Sequence, residues 1–137
     1  MKFIRALNEY SKSYKISDIK KLARPNSNKI EISYESFKTK DGSIVKYIID
    51  EIDSGKYKYR FTFIKQNEDG TWEKAGNPIK SNSYASLADK ASNIEKSDVV
   101  GRKIEIDGTK LGTRIKAFIA DYIGISLKAL EKEIREI

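Results

Sequence analysis

The stretch Lys56-Tyr57-Lys58-Tyr59-Arg60-Phe61-Thr62-Phe63-Ile64-Lys65 decides the fold of this 137-residue chain. Aromatic and cationic residues alternate along it with a period of two, which is the period of a β-strand. One side carries Tyr57, Tyr59, Phe61 and Phe63, and the other carries Lys56, Lys58, Arg60 and Thr62. An antiparallel sheet commonly buries one face and leaves the other in water. We therefore expect Phe61 and Phe63 to pack in a core and the three cations to face solvent.

The sequence around this stretch predicts the rest of an antiparallel sheet. Apolar and polar residues alternate over 29–35, and residues 44–50 are apolar on both sides of a strand at their centre. Strong turn signals separate the strands, namely Asp41-Gly42, Asp53-Ser54-Gly55 and Asn67-Glu68-Asp69-Gly70. A shorter strand around 71–75 is broken by Gly76-Asn77-Pro78 and resumes at Ile79 and Lys80.

Helical patterns flank the sheet on both sides. Residues 1–24 show helical spacing, and Ser81 or Ser83 is placed to cap a helix after the sheet. Short strands around 99–106 precede a helix that stops at Gly124, and Ser126 caps a last helix. The fold class is therefore α+β, an antiparallel meander packed on one face by helices at both termini. We expect a single domain over 1–137, with a helical segment 1–24, the sheet over 29–80, and helices with short strands over 83–137.

The composition excludes several kinds of site. The chain has no cysteine and no histidine, which excludes disulfides, most zinc sites and histidine-based catalysis. Asp50, Glu51 and Asp53 could gather a magnesium ion, but acidic residues at a strand end usually lie on the surface. Gly108-Thr109-Lys110-Leu111-Gly112 lacks the spacing of a nucleotide-binding loop. We expect no catalytic residue, no metal and no cofactor, so the protein is predicted not to be an enzyme.

The net charge of +7 is unevenly distributed. Residues 1–65 hold 15 Lys and Arg against 8 Asp and Glu, whereas residues 66–137 hold 12 of each. A one-sided positive field attracts polyanions. A solvated surface in a lysine-rich proteome explains the same charge.

Cations and rings together predict a surface for single-stranded nucleic acid, because such proteins combine a cationic path with rings on which bases stack. The phosphate-contacting candidates are Lys46, Lys56, Lys58 and Arg60, and the stacking candidates are Tyr47, Tyr57, Tyr59 and Trp72, with Lys74 beside the last. Adjacent positions on one strand face opposite ways, so some of these candidates must be wrong. Ordinary solvated lysines and core aromatics are the alternative interpretation.

The stretch from Lys56 to Ile94 resembles the core of the Whirly and transcriptional-coactivator superfamily of single-stranded DNA-binding domains. The similar features are Tyr57-Lys58-Tyr59-Arg60-Phe61, Glu68-Asp69-Gly70, Trp72, Gly76-Asn77-Pro78-Ile79 and Ser83-Tyr84-Ala85-Ser86-Leu87. The N-terminal helices and the segment after Asp98 have no counterpart in that core. The resemblance implies a homodimer that binds unpaired DNA across the sheet, with Lys58, Arg60 and Trp72 involved.

Other functions remain open from the sequence. One alternative is a double-stranded DNA regulator that uses the N-terminal helices. Another is a protein-interaction or virion-associated structural protein in which the sheet edge and the C-terminal helix recruit a partner; a metal-dependent hydrolase is a third. No membrane span or export signal is evident, so we expect no membrane partner and a cytoplasmic location. The lysine- and isoleucine-rich composition resembles that of small viral proteins. For a viral protein, the expected location is the cytoplasm of the host cell.

Overall fold

A six-stranded antiparallel sheet and three α-helices make up the described part of the chain. The computed structural model describes residues 13–18, 29–39, 42–52, 55–93 and 108–137. The strands are β1 (Ile30–Ile32), β2 (Phe37–Lys38), β3 (Ile44–Glu51), β4 (Tyr59–Gln66), β5 (Trp72–Lys74) and β6 (Ile79–Ser81). The helices are α1 (Tyr84–Ser92), α2 (Gly108–Ile123) and α3 (Leu127–Arg135). The predicted α+β class with an antiparallel sheet is confirmed.

Two long strands, β3 and β4, form the middle of the sheet. They pair antiparallel from Val45 opposite Lys65 to Glu51 opposite Tyr59. β1 and β2 share the other edge of β3, and β5 and β6 share the other edge of β4. Each outer edge is therefore made of two short strands with an interruption between them.

Two predicted hairpin turns are confirmed at Gly42 and Gly70. Both glycines have positive φ, 88° and 87°, which side-chain-bearing residues rarely adopt. At the second turn the amide of Gly70 donates to the carbonyl of Asn67 at 2.9 Å. Residues 53 and 54 of the third predicted turn lie outside the described ranges.

The helix signals in the sequence also hold. The Ser83 hydroxyl accepts from the amide of Ser86, and the Ser126 hydroxyl accepts from the amide of Ala129, so both serines cap helices as predicted. Gly124 ends α2 with a φ of 92°. Of the two candidate caps before α1, the structure selects Ser83.

One face of the sheet packs against the helices. Its rings contact one another, with centroids 5.3 Å apart for Tyr47 and Phe61 and 5.2 Å apart for Phe61 and Phe63. The helices contribute Leu87, Ala88, Ala91, Leu111, Ile115, Ile119 and Leu130 to the same core. The predicted core positions of Phe61 and Phe63 are confirmed. Because Leu130 is fully buried here, the C-terminal helix closes the chain's own core.

The opposite face of the sheet, the outer face, is covered as well. Ile48, Ile64 and Trp72 are buried there in a second cluster, and Tyr14 packs against it. Tyr14 and Trp72 exchange two backbone hydrogen bonds, of 2.8 and 2.7 Å. The expectation of one open, solvated face is wrong, because the cationic side of β4 becomes apolar at Ile64 and its burial stabilises the fold.

Some predictions fall on residues outside the described ranges. Of the predicted N-terminal helices over 1–24, only residues 13–18 are described, and 16–18 form a 3₁₀ turn. The short strands predicted around 99–106 lie outside the described residues. The single-domain organisation stays a prediction.

Candidate nucleic-acid interface

Arg60 does not face solvent. It lies opposite Asp50 in the β3–β4 ladder, and its Nε and Nη2 donate to the two carboxylate oxygens at 3.0 and 2.9 Å. Arg60 is 6% exposed and Asp50 is 1% exposed. The prediction that Arg60 contacts phosphate is wrong, because the carboxylate already occupies its guanidinium fork and neutralises its charge.

Three of the four predicted stacking rings are also buried. Tyr47 and Tyr59 lie in the core under the helices, and Trp72 lies in the cluster on the outer face. No base can reach the flat side of a ring that is packed on neighbouring side chains. The stacking role predicted for these three residues is therefore wrong, because each ring is packed in one of the two hydrophobic clusters.

The two lysines just before β4 lie in solvent, as predicted, unlike Arg60. Lys56 and Lys58 are exposed, and Tyr57 between them is half-buried. Each lysine Nζ approaches the ring that follows it, at 5.4 Å from Tyr57 and 5.3 Å from Tyr59. The amide of Lys58 donates to the carbonyl of Ser81 at 3.2 Å, which ties this segment to β6.

The strand register brings further cations onto the outer face. Lys46 and Lys74 both lie opposite Ile64, on β3 and β5. Lys80 on β6 lies opposite Arg60. Residues directly opposite one another share a face of the sheet. Lys74 and Lys80 therefore lie near the buried Arg60–Asp50 pair, and Lys46 lies on the other side of Ile64 from Lys74. We call Lys46, Lys56, Lys58, Lys74 and Lys80 the lysine surface.

Lys80 is the member that the sequence reading missed, because only the pairing of β6 with β4 places it beside the other cations. The charges in this region act on one another. Desolvation lowers the pKa of Lys74 below its ordinary value, and repulsion from Arg60 and Lys80 lowers it further, while the Asp50 carboxylate opposes the shift. Lys74 therefore lies within electrostatic reach of both Arg60 and Lys80.

A second feature lies at the β1–β2 edge. Ile32 pairs with Ile48, and Phe37 pairs with Val45. Four residues, 33–36, therefore lie opposite only two residues of β3, 46 and 47. The extra residues form a bulge. Its tip, Tyr34, is 96% exposed, and the Tyr34 carbonyl accepts from the Nζ of Lys46 at 3.2 Å.

The bulge forms one wall of a cleft. Residues 114, 117, 118 and 121 of α2 form the facing wall, and Tyr47 forms part of the floor. The cleft has a volume of about 300 Å³. Neither the bulge nor the cleft was predicted. The only sequence signal was the polar Ser33, with Glu35 and Ser36, where an edge strand was expected.

Tyr47 gives the cleft a titratable group. Burial raises its pKa to about 12, and Arg114 and Glu35 at the rim act on it in opposite directions. Its hydroxyl makes no hydrogen bond to another residue in the described ranges. The phenol is therefore a neutral polar group at any physiological pH.

The raised pKa of Tyr47 predicts a loss of stability in alkali. Below pH 10 the phenol is neutral in both states, but between pH 10 and 12 the unfolded chain ionises and the folded chain does not. The free energy of unfolding should fall by about 1.4 kcal/mol per pH unit in this range from this residue. Urea titrations from pH 9 to 12 of the wild type and Tyr47→Phe measure it. Equal slopes in the two proteins would contradict the prediction.

The described residues give no sign of two other kinds of site. Among them, no three Asp or Glu side chains are grouped to hold a metal ion. No described helix is long and apolar enough to cross a membrane.

Comparisons with known proteins identify no family for the chain. No protein-family model matches it, and the searches of curated proteins and of solved structures found no match. The resemblance to the Whirly and transcriptional-coactivator superfamily stays a prediction. It also loses two of its three implied contact residues, because Arg60 and Trp72 are buried.

Proposed function

We propose that this protein binds nucleic acid through phosphate contacts along the lysine surface, without sequence preference in those contacts. The carrying observation is that Lys74 and Lys80 lie beside the Arg60–Asp50 pair on the outer face of the sheet. Because Asp50 already neutralises Arg60, Lys74 and Lys80 leave this part of the outer face with a net positive charge, which favours an anion. The exposed Lys56 and Lys58 extend the positive surface past the start of β4.

Unpaired nucleic acid is the ligand that the rings favour. Tyr57 stands half-exposed between two exposed lysines, and Tyr34 projects from the bulge beside Lys46. Bases in a duplex are already stacked on one another, so exposed rings add affinity only for a strand whose bases are free. The proposed site thus keeps the predicted ligand but replaces Arg60, Tyr47, Tyr59 and Trp72 with Lys80 and Tyr34.

The proposed activity is binding alone, in the cytoplasm, with no catalytic step and no cofactor. A homodimer stays a prediction, and the structure removes one reason for it. The apolar stripe of the C-terminal helix was expected to need a partner, yet Leu130 is buried and Ile134 packs on the same core. Sedimentation velocity of the protein with and without oligonucleotide tests this point.

A salt titration tests the proposed function. Fluorescence anisotropy compares a labelled single strand, the matching duplex and RNA for the wild type and for Lys74→Ala with Lys80→Ala. Two lost phosphate contacts should reduce the slope of log affinity against log salt by about 1.4 for single strands. Affinity at low salt should fall about tenfold or more.

Exposed lysines elsewhere provide the matched control. Lys128→Ala with Lys132→Ala removes the same charge from α3, where both side chains are exposed. This variant should bind almost as the wild type does. Absence of binding to any polynucleotide at low salt, or an equal loss in the two double variants, would reject the lysine surface as the interface.

A further inference from the structure

The bulge is held in place by a buried serine. Ser33 is buried, its hydroxyl donates to the Glu35 carbonyl at 3.1 Å, and the same oxygen accepts from the amide of Tyr47 at 3.1 Å. The amide of Ser33 donates to the Tyr47 carbonyl at 2.8 Å. These bonds hold Ser33 on β3, and residues 34–36 leave the strand pairing directly after it. Bulges of this kind re-aim side chains beside binding sites.

The cleft beside the bulge has the size and lining of a small ligand site. Its volume of about 300 Å³ lies at the lower end of the range of ligand pockets. Tyr47 and Phe118 meet edge to face with centroids 5.0 Å apart, which gives an aromatic lining. Phe61 and Phe118 already pack on the Tyr47 ring, so a ligand in the cleft meets the Tyr47 hydroxyl and the half-buried Phe118 and not a free face of Tyr47.

The polar groups of the cleft offer both donors and acceptors. Arg114 meets Glu35 through one contact of 3.6 Å, and both side chains are exposed, so water screens the pair. The Asp121 carboxylate has no hydrogen-bond or ion-pair partner among the described residues. The cleft thus presents a guanidinium donor, a carboxylate acceptor and the Tyr47 hydroxyl.

We propose that this cleft receives one base of the bound strand, and that it favours a base with an exocyclic amino group beside a ring acceptor, such as cytosine. Asp121 accepts from the amino group, and Arg114 donates to the ring nitrogen or carbonyl. Thymine presents a carbonyl where cytosine presents the amino group, so it would face the carboxylate unfavourably. Tyr34 offers its exposed ring to a neighbouring base.

This inference rests on the proposed function, and Lys46 joins the two sites. Lys46 belongs to the lysine surface, and its Nζ donates to the Tyr34 carbonyl at the tip of the bulge. A strand whose phosphates follow the lysine surface therefore reaches the bulge at this residue. The phosphate contacts supply affinity, and the cleft adds a preference among bases.

Two oligonucleotides of equal length, oligodeoxycytidine and oligothymidine, test the inference by anisotropy at constant salt. The wild type should bind the cytidine strand about fivefold more tightly, which corresponds to one hydrogen bond made or lost. Asp121→Asn should bring this ratio close to one, because the amide both donates and accepts. Tyr34→Ala should weaken binding of both strands about fivefold or more. Circular dichroism verifies that both variants, which change exposed side chains, are folded.

The outcomes separate this inference from the proposed function. Lys74→Ala with Lys80→Ala should weaken both strands and keep their ratio. Binding of both strands with a ratio of one in the wild type, or a ratio that Asp121→Asn leaves unchanged, overturns the base site and leaves the proposed function intact. Failure of both strands to bind overturns both. Cytidine monophosphate binding as tightly as the strand would also overturn the proposal of a base held within a strand.

Discussion

Replacing Arg60 by alanine is expected to lower the free energy of unfolding by about 3–5 kcal/mol, because the change removes two charge-assisted hydrogen bonds from a buried carboxylate. Asp50 is 1% exposed and accepts two hydrogen bonds from Arg60. Water cannot replace the lost donors at such a position without opening the outer face. Urea denaturation at neutral pH measures the loss.

A double variant separates the value of the pair from the cost of breaking it. Asp50→Leu with Arg60→Met replaces both charges by apolar groups of similar size. It should recover most of the stability, since exchanging a whole buried pair for apolar side chains is often close to neutral. Lys58→Ala removes an exposed cation two residues away and should change stability by less than about 0.5 kcal/mol. A loss under about 1 kcal/mol in Arg60→Ala would contradict the buried, bidentate pair.

Phe61→Ala should cost a similar amount, about 3–5 kcal/mol, through the cavity that it opens in the aromatic core. Phe61 is fully buried, and its ring is stacked on Tyr47 and meets the edge of Phe63. The cross-strand partner Ile49 is also fully buried, so the neighbours have little room to move into the space. Thermal and urea unfolding both report the loss.

Phe61→Leu is the matched control for this cavity. Leucine keeps most of the apolar volume, so its cost should be well below that of alanine, in the range of about 1–2 kcal/mol. An alanine variant as stable as the leucine variant would mean that the ring is not packed as the structure has it. Because the Phe61 side chain packs under the helices, on the opposite face of the sheet from the lysine surface, neither variant should alter the salt slope of nucleic-acid binding.

Local signals in the sequence predicted most of the described elements, but not β2 or the bulge that precedes it. A period of two predicted β4, glycines with positive φ marked the hairpins, and Ser83 and Ser126 capped helices as expected. Each of these features depends on the conformation of a few neighbouring residues. Such information is present in any short window of the chain.

The site was harder to predict, because it depends on pairing between distant residues. The neutralisation of Arg60 requires Asp50 to fall opposite it, and that register depends on the connection between β3 and β4. Alternation alone separates two faces of a strand and says nothing about whether both are covered. Thr62 and Ile64, on the same side as Arg60, were the available warning that this face becomes apolar.

The role of Gly112 in helix packing could also not be predicted from the sequence. A Cβ atom at Gly112 would lie 2.5 Å from the carbonyl oxygen of Ser92, so glycine permits the close crossing of α1 and α2. The sequence presented Gly112 only as part of a weak phosphate-loop pattern. Which helix approaches it could not be derived from local spacing.

The interrupted edge formed by β5 and β6 has a consequence for self-association. An unpaired strand edge is a template on which another chain can add a strand, and long flat edges favour aggregation. Here each edge strand has three residues, Gly76 and Pro78 lie between them, and Tyr14 already occupies the outward backbone groups of Trp72. A second copy therefore finds no continuous ladder on this side, and growth of the sheet from chain to chain is blocked at this border.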